Sequence, residues 1–68
     1  MTMYVLQLDT NKTIKLWNLT NETAIAQSFD NGKKSRKSEC KIRYYNGKPY
    51  VVCCGHRYYI DKFTKVEM

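Results

Sequence analysis

The side chains best able to do chemistry in this chain are cations set among aromatic rings. Lys33, Lys34, Arg36 and Lys37 crowd into one short stretch, and Lys41, Arg43, Lys48 and Arg57 follow, interleaved with Tyr44, Tyr45, Tyr50, Tyr58 and Tyr59. Basic groups neutralise phosphates while flat rings stack on unpaired bases, the combination by which small β platforms hold single-stranded nucleic acid. Arg43 and Arg57 add planar guanidinium groups that grip phosphate or stack. The leading expectation is therefore a binding module for DNA or RNA that works through backbone charge. Its phosphate contacts are Lys33, Lys34, Arg36, Lys37, Lys41, Arg43 and Arg57, and its stacking rings are Tyr45 and Tyr58. Strand alternation restricts this reading, because neighbours such as Tyr44 and Tyr45, or Tyr58 and Tyr59, must lie on opposite faces. The competing reading makes the tyrosines ordinary sheet packing and the basic stretch a solvated loop. Nothing matches the aromatic signature of the RNA-recognition motif.

An alternative of another class uses the same residues against a protein. Tyr, Trp and Arg dominate binding hot spots, and exposed strand edges can pair with a partner. Here Trp17, Tyr44 and Tyr59 are the anchors. The chain would be a small inhibitor or adaptor, a phage-type effector for example, that docks on the acidic face of a larger protein. An edge strand also allows a homodimer.

Catalysis and metal binding find less support. One His, three Cys and scattered carboxylates are present, yet no nucleophile elbow, phosphate loop or metal motif positions them. A chain this small also struggles to enclose a substrate cavity of several hundred cubic ångströms. No enzymatic activity and no cofactor are expected. Cys40, Cys53, Cys54 and His56 form a conceivable zinc set, but they lack two separated knuckles of the Cys-x-x-Cys kind. The odd thiol count argues against a fully paired disulfide framework, and Cys53 and Cys54 on a strand point to opposite faces.

The composition is that of an ordinary folded protein, with 43% hydrophobic and 26% charged residues in a chain of 68. At this size only about 60% of the unfolded surface is buried, so the core is thin. The net charge of +6 favours anionic partners. No segment is long and apolar enough to span a bilayer and no secretory signal opens the chain, so no membrane association and a cytoplasmic location are expected. The sequence begins at Met1 and reads as one small domain over residues 1–68, with a mobile basic loop at about 30–39.

The elements that must carry these groups are strands. Met3 to Leu8 alternates, with Tyr4, Leu6 and Leu8 as the inward set. After the turn formers Asp9-Thr10-Asn11-Lys12, the segment from Thr13 to Asn18 alternates again, which makes a hairpin. The run Asp9-Thr10-Asn11-Lys12-Thr13-Ile14-Lys15-Leu16-Trp17-Asn18-Leu19 resembles the strand that ends a WD-repeat of a β-propeller, with Asn18 where that family usually has Asp. The resemblance implies a strand and no propeller function, since a propeller needs several blades of about 40 residues. Residues 20–30 admit two readings: a short helix capped by Thr20, or a strand with Thr23, Ile25, Gln27 and Phe29 on one face. Asn46-Gly47 is the strongest turn signal, Pro49 opens a return strand, and Gly55-His56 turns the chain again before residues 57–61. Phe63 and Val66 could still pack, with Lys62, Lys65 and Glu67 on an exposed tail.

The expected fold is mainly β, an antiparallel sheet or open barrel of about five to six short strands in meander order. Its core draws on Val5 or the Leu6 and Leu8 face, with Ile14, Leu16, Ile25, Phe29, Ile42, Val51, Cys53 and Ile60.

Overall fold

Alternation over the first residues produces a hairpin of β1 (Thr2–Asp9) and β2 (Lys12–Trp17). Pairing of Tyr4 with Leu16 and Leu6 with Ile14 puts four apolar side chains on one face, and there Leu16 is 0% and Ile14 3% exposed. The register slips between Gln7 and Asp9. The Gln7 side chain fills that bulge, its amide donating to the carbonyls of Asp9 and Lys12 while the Thr13 hydroxyl donates to Gln7 Oε1 at 2.9 Å. A bulge twists its strand away from the layer below. Leu8 accordingly lies 42% exposed, so the expected inward set of Tyr4, Leu6 and Leu8 ends at Leu6. The structure, a computed structural model, describes residues 2–53 and 55–67; Cys54, a member of the metal set considered above, lies outside the described residues.

Residues 20–30 take the strand alternative. Thr20 closes a turn: its amide donates to the Thr23 carbonyl at 2.9 Å and its hydroxyl accepts from the Thr23 amide at 3.0 Å. This launches β3 (Thr23–Asp30), antiparallel to β2. Because Leu16 pairs with Ala26 and Trp17 with Ile25, the register dictates which side faces inward. Ala24 and Ala26, each 1% exposed, enter the core. Ile25 and Phe29, expected there on account of their size, lie half-buried on the opposite face. Side-chain bulk is a weaker constraint than the pairing of a neighbouring strand whose own inner face is already set.

Asn31 and Gly32, at φ 52° and 80°, then reverse the chain. Positive φ at both central residues is the type I′ pattern whose twist suits a tight hairpin. Both β4 (Lys33–Lys34) and β5 (Ser38–Lys41) run antiparallel along β3. Residues 35–37 bulge between them. There Gln27, only 8% exposed, donates from Nε2 to the Ser35 carbonyl at 2.8 Å, and Ser35 Oγ accepts from the Ser28 amide at 3.0 Å. Lys33 and Lys34 of the basic stretch thus lie along a sheet edge, where lysines discourage further strand pairing.

At Ile42, whose amide donates to the Glu22 carbonyl at 2.7 Å, the chain leaves this sheet. It forms a meander of β6 (Arg43–Tyr45), β7 (Lys48–Cys53) and β8 (His56–Tyr59). A 3-10 turn over Ile60–Lys62 returns it to the first sheet as β9 (Thr64–Glu67), antiparallel to β1. The expected tail is therefore an edge strand, with Val66 opposite Met3. Among the described residues six strands make one sheet and three the other. Among the described residues the small antiparallel sheets follow a meander-like order and do not close into a barrel.

The core lies between the two sheets. Ile14, Leu16, Ala24 and Ala26 of the larger sheet meet Val51 of the smaller and Phe63, which follows the 3-10 turn. Tyr4, Leu6, Leu19, Cys40, Ile42, Cys53, Tyr58 and Ile60 pack around them. Cys40 Sγ lies 3.7 Å from the Val52 carbonyl, bringing β5 against β7. The shortest dimension, 19 Å, accommodates two sheets about 10 Å apart with their outer side chains. Among the described residues no helix is long and apolar enough to cross a membrane.

Candidate nucleic-acid interface

The three-stranded meander begins at a turn that its own residues specify. Asn46 and Gly47 adopt φ 52° and 77°, again the type I′ pattern. Pairing outward from that turn sets Tyr45 opposite Lys48, Tyr44 opposite Pro49 and Arg43 opposite Tyr50. On the other side β8 places Tyr59 opposite Tyr50, Tyr58 opposite Val51 and Arg57 opposite Val52. Val51 is 0% exposed and its face is the inner one. By alternation the outer face carries Arg43, Tyr45, Lys48, Tyr50, Val52, Arg57 and Tyr59.

That face is cationic and aromatic, and none of its three strands contains Asp or Glu. Tyr50 and Tyr59 stand side by side with ring centroids 5.5 Å apart and planes tilted by 53°. The Arg57 guanidinium carbon lies 5.4 Å from the Tyr50 ring centroid, a cation–π contact that orients the side chain without removing its charge. Tyr45 is 57% exposed. Beyond Tyr45 and Tyr59 the face ends in a shallow cleft of about 360 Å³, lined by Tyr45, Asn46, Lys48, Tyr59, Asp61 and Lys62.

The structure brings together Arg43, Tyr45, Arg57 and Tyr59 from the residues proposed on sequence grounds, and adds Lys48 and Tyr50. Tyr58 turns the other way. It packs against the core, near His56 with a ring separation of 6.3 Å, and is not on the face that holds Arg57. Tyr44 is 57% exposed but reaches sideways, its hydroxyl donating to the Asn21 carbonyl at 3.0 Å. Counting pairs outward from Asn46-Gly47 would have joined Tyr50 and Lys48 to Arg43 and Tyr45, since hairpin register follows from turn type. Asp61 and Lys62 had no comparable signal, because the 3-10 turn that places them is held by tertiary packing.

The remaining basic residues belong to the larger sheet. Lys33 and Lys34 pair with Asp30 and Phe29, Lys41 pairs with Thr23, and Arg36 and Lys37 occupy the bulge. Lys37 Nζ sits 4.6 Å from the centroid of the Trp17 ring. The outer face of this sheet also carries a row of half-buried apolar side chains, Val66, Met3, Trp17 and Ile25, each opposite the next across four strands. Among the described residues no group of three or more His, Cys, Asp or Glu is arranged to hold a metal ion. No family model, curated protein or solved structure matches this chain.

Proposed function

We propose that this chain binds single-stranded nucleic acid on the outer face of the three-stranded sheet. The observation that carries the reading is the acid-free face itself, on which Arg43, Lys48 and Arg57 surround the adjacent rings of Tyr50 and Tyr59. Rings laid across neighbouring strands offer flat surfaces to unstacked bases, each such stack being worth about 1–3 kcal/mol. The flanking cations meet the phosphates between those bases. Lys33, Lys34, Arg36, Lys37 and Lys41 act at longer range, adding to the field that draws a polyanion towards a chain of charge +6. Duplex fits less well, because its bases are already stacked and expose only their edges.

Fluorescence anisotropy of a labelled eight-residue oligothymidylate across a salt series tests the proposal. With about three phosphate contacts, log affinity should fall against log salt with a slope near −2, from about 0.7 per contact on a single strand. Replacing Arg43, Lys48 and Arg57 together with Ala should flatten that slope to less than half its value. Absence of binding at low salt, or an unchanged slope in the triple variant, would falsify the reading.

A second reading, docking on an acidic protein face, is favoured by the apolar row through Trp17 with Lys15, Lys34, Lys37 and Lys41 around it. It predicts that Trp17→Ala removes most of the affinity for such a protein, with weaker salt dependence than nucleic-acid binding shows.

A further inference from the structure

We infer that the cleft at the end of this face, between the Asn46-Gly47 turn and the Ile60–Lys62 turn, takes one unpaired guanine base; the inference rests on the single-strand reading. Its parts match a nucleotide group by group. Tyr45 and Tyr59 provide flat apolar walls, Lys48 and Lys62 provide cations for the adjoining phosphates, and Asn46 and Asp61 provide hydrogen-bonding groups. A volume of about 360 Å³ is at the low end of the range for small-molecule sites, roughly 300–1,000 Å³.

Asp61 determines which base. It is the one carboxylate in the lining, and among the described residues no hydrogen bond or ion pair engages it, although Lys48 and Lys62 line the same cleft. Its backbone is held in place: Ile60 packs on the core before it, Phe63 is buried after it, and the Phe63 amide donates to the Ile60 carbonyl at 3.0 Å. A carboxylate on an anchored turn accepts best from two parallel N–H groups, as it does from arginine. Guanine alone among the bases presents such a pair, N1–H beside the 2-amino group, on its Watson–Crick edge. Adenine and cytosine place an acceptor lone pair beside their amino group, and thymine or uracil flanks its single N–H with carbonyls, so each sets an acceptor against the carboxylate. Unpaired bases are commonly read on this edge while stacked on aromatic rings.

The same anisotropy measurement, on oligothymidylates with one central residue changed to guanine, adenine, cytosine or hypoxanthine, tests the assignment. Guanine should bind about tenfold tighter than the all-thymine strand, a typical discrimination for a bidentate base contact. Hypoxanthine, which keeps N1–H but lacks the 2-amino group, should fall between them. In Asp61→Asn the guanine advantage should vanish while the all-thymine strand binds more tightly, because a negative charge has left the cleft beside the face. Equal affinity for all strands, or a guanine preference that persists in Asp61→Asn, overturns the inference and leaves the single-strand reading standing. If no strand binds at low salt, both fall. The hypoxanthine comparison uses the unaltered protein, so it is independent of how the variant folds.

Discussion

On the outer face of the six-stranded sheet, the large rings are already occupied by the chain's own cations. Lys15 Nζ lies 4.6 Å from the Phe29 centroid, and Lys37 Nζ lies 4.6 Å from that of Trp17. On the outer face of the three-stranded sheet, Arg57 approaches Tyr50 at 5.4 Å, but among the described residues no ring or cation contact covers Tyr45. The two faces use the same residue types with different accounts of their charge. A lysine resting on an indole is partly satisfied and shields apolar surface from water. Arg57, beside the half-buried pair of Tyr50 and Tyr59, has no carboxylate within the strands of its own sheet. On the proposed reading, the strands after residues 33–37 carry the direct contacts, and salt-dependent binding measured on variants of each group weighs the two against each other.

The most drastic way to break the comparison is to remove the layer that both faces stand on. Leu16→Ala deletes a fully buried side chain between the sheets, at a cost of about 2–5 kcal/mol. That is a large part of the roughly 5 kcal/mol to be expected of so small a domain. Urea unfolding followed by circular dichroism should find the midpoint moved far towards zero denaturant, with both faces lost in the same transition.

The next largest effect should separate them. Tyr50→Ala with Tyr59→Ala should weaken oligothymidylate binding by about thirtyfold or more, from about 1–3 kcal/mol for each of the two lost stacks. Trp17→Ala, on the other face, should change it less than twofold by the same anisotropy measurement; equal losses from both would erase the distinction between the faces.

A finer comparison uses the two type I′ turns. Gly32 and Gly47 have φ of 80° and 77° with nothing within 4 Å of an added Cβ, so alanine at either meets only backbone strain. Each substitution should lower stability by about 1–2 kcal/mol. Gly47→Ala, lying between Tyr45 and Lys48, should also weaken oligonucleotide binding, whereas Gly32→Ala should not. The smallest effect is expected from Lys37→Ala. Losing the contact with Trp17 should cost about 0.5–1 kcal/mol, read as a fall of a few degrees in Tm. The salt slope of binding should then change by less than the 0.7 or so of one phosphate contact.

How far these features could be read beforehand depended on how local their causes are. The first hairpin and the Asn46-Gly47 turn follow from alternation and from residues tolerant of positive φ, and the structure has both. Asn31-Gly32 carries the same turn signal, but inside a run of charge and without apolar neighbours it reads as loop. The strand character of the residues that follow comes from pairing with β3 and from Gln27 and Ser35 closing the bulge. Ile25 and Phe29 look like core because they are large. The smaller Ala24 and Ala26 go inside because β2 sets the register.

By itself the sequence determined that this is a mainly β chain with cations and tyrosines concentrated in its second half, because strand period and turn chemistry operate over a few residues. Only the tertiary structure decided which tyrosine of each adjacent pair faces outward, since that depends on which side of the meander lies against Leu16 and Ala26. It also decided that Asp61 stands beside Tyr45 and Lys48. That neighbourhood exists because Ile60 packs against the core and Phe63 is buried in it, a contact made across the fold and written in no local pattern.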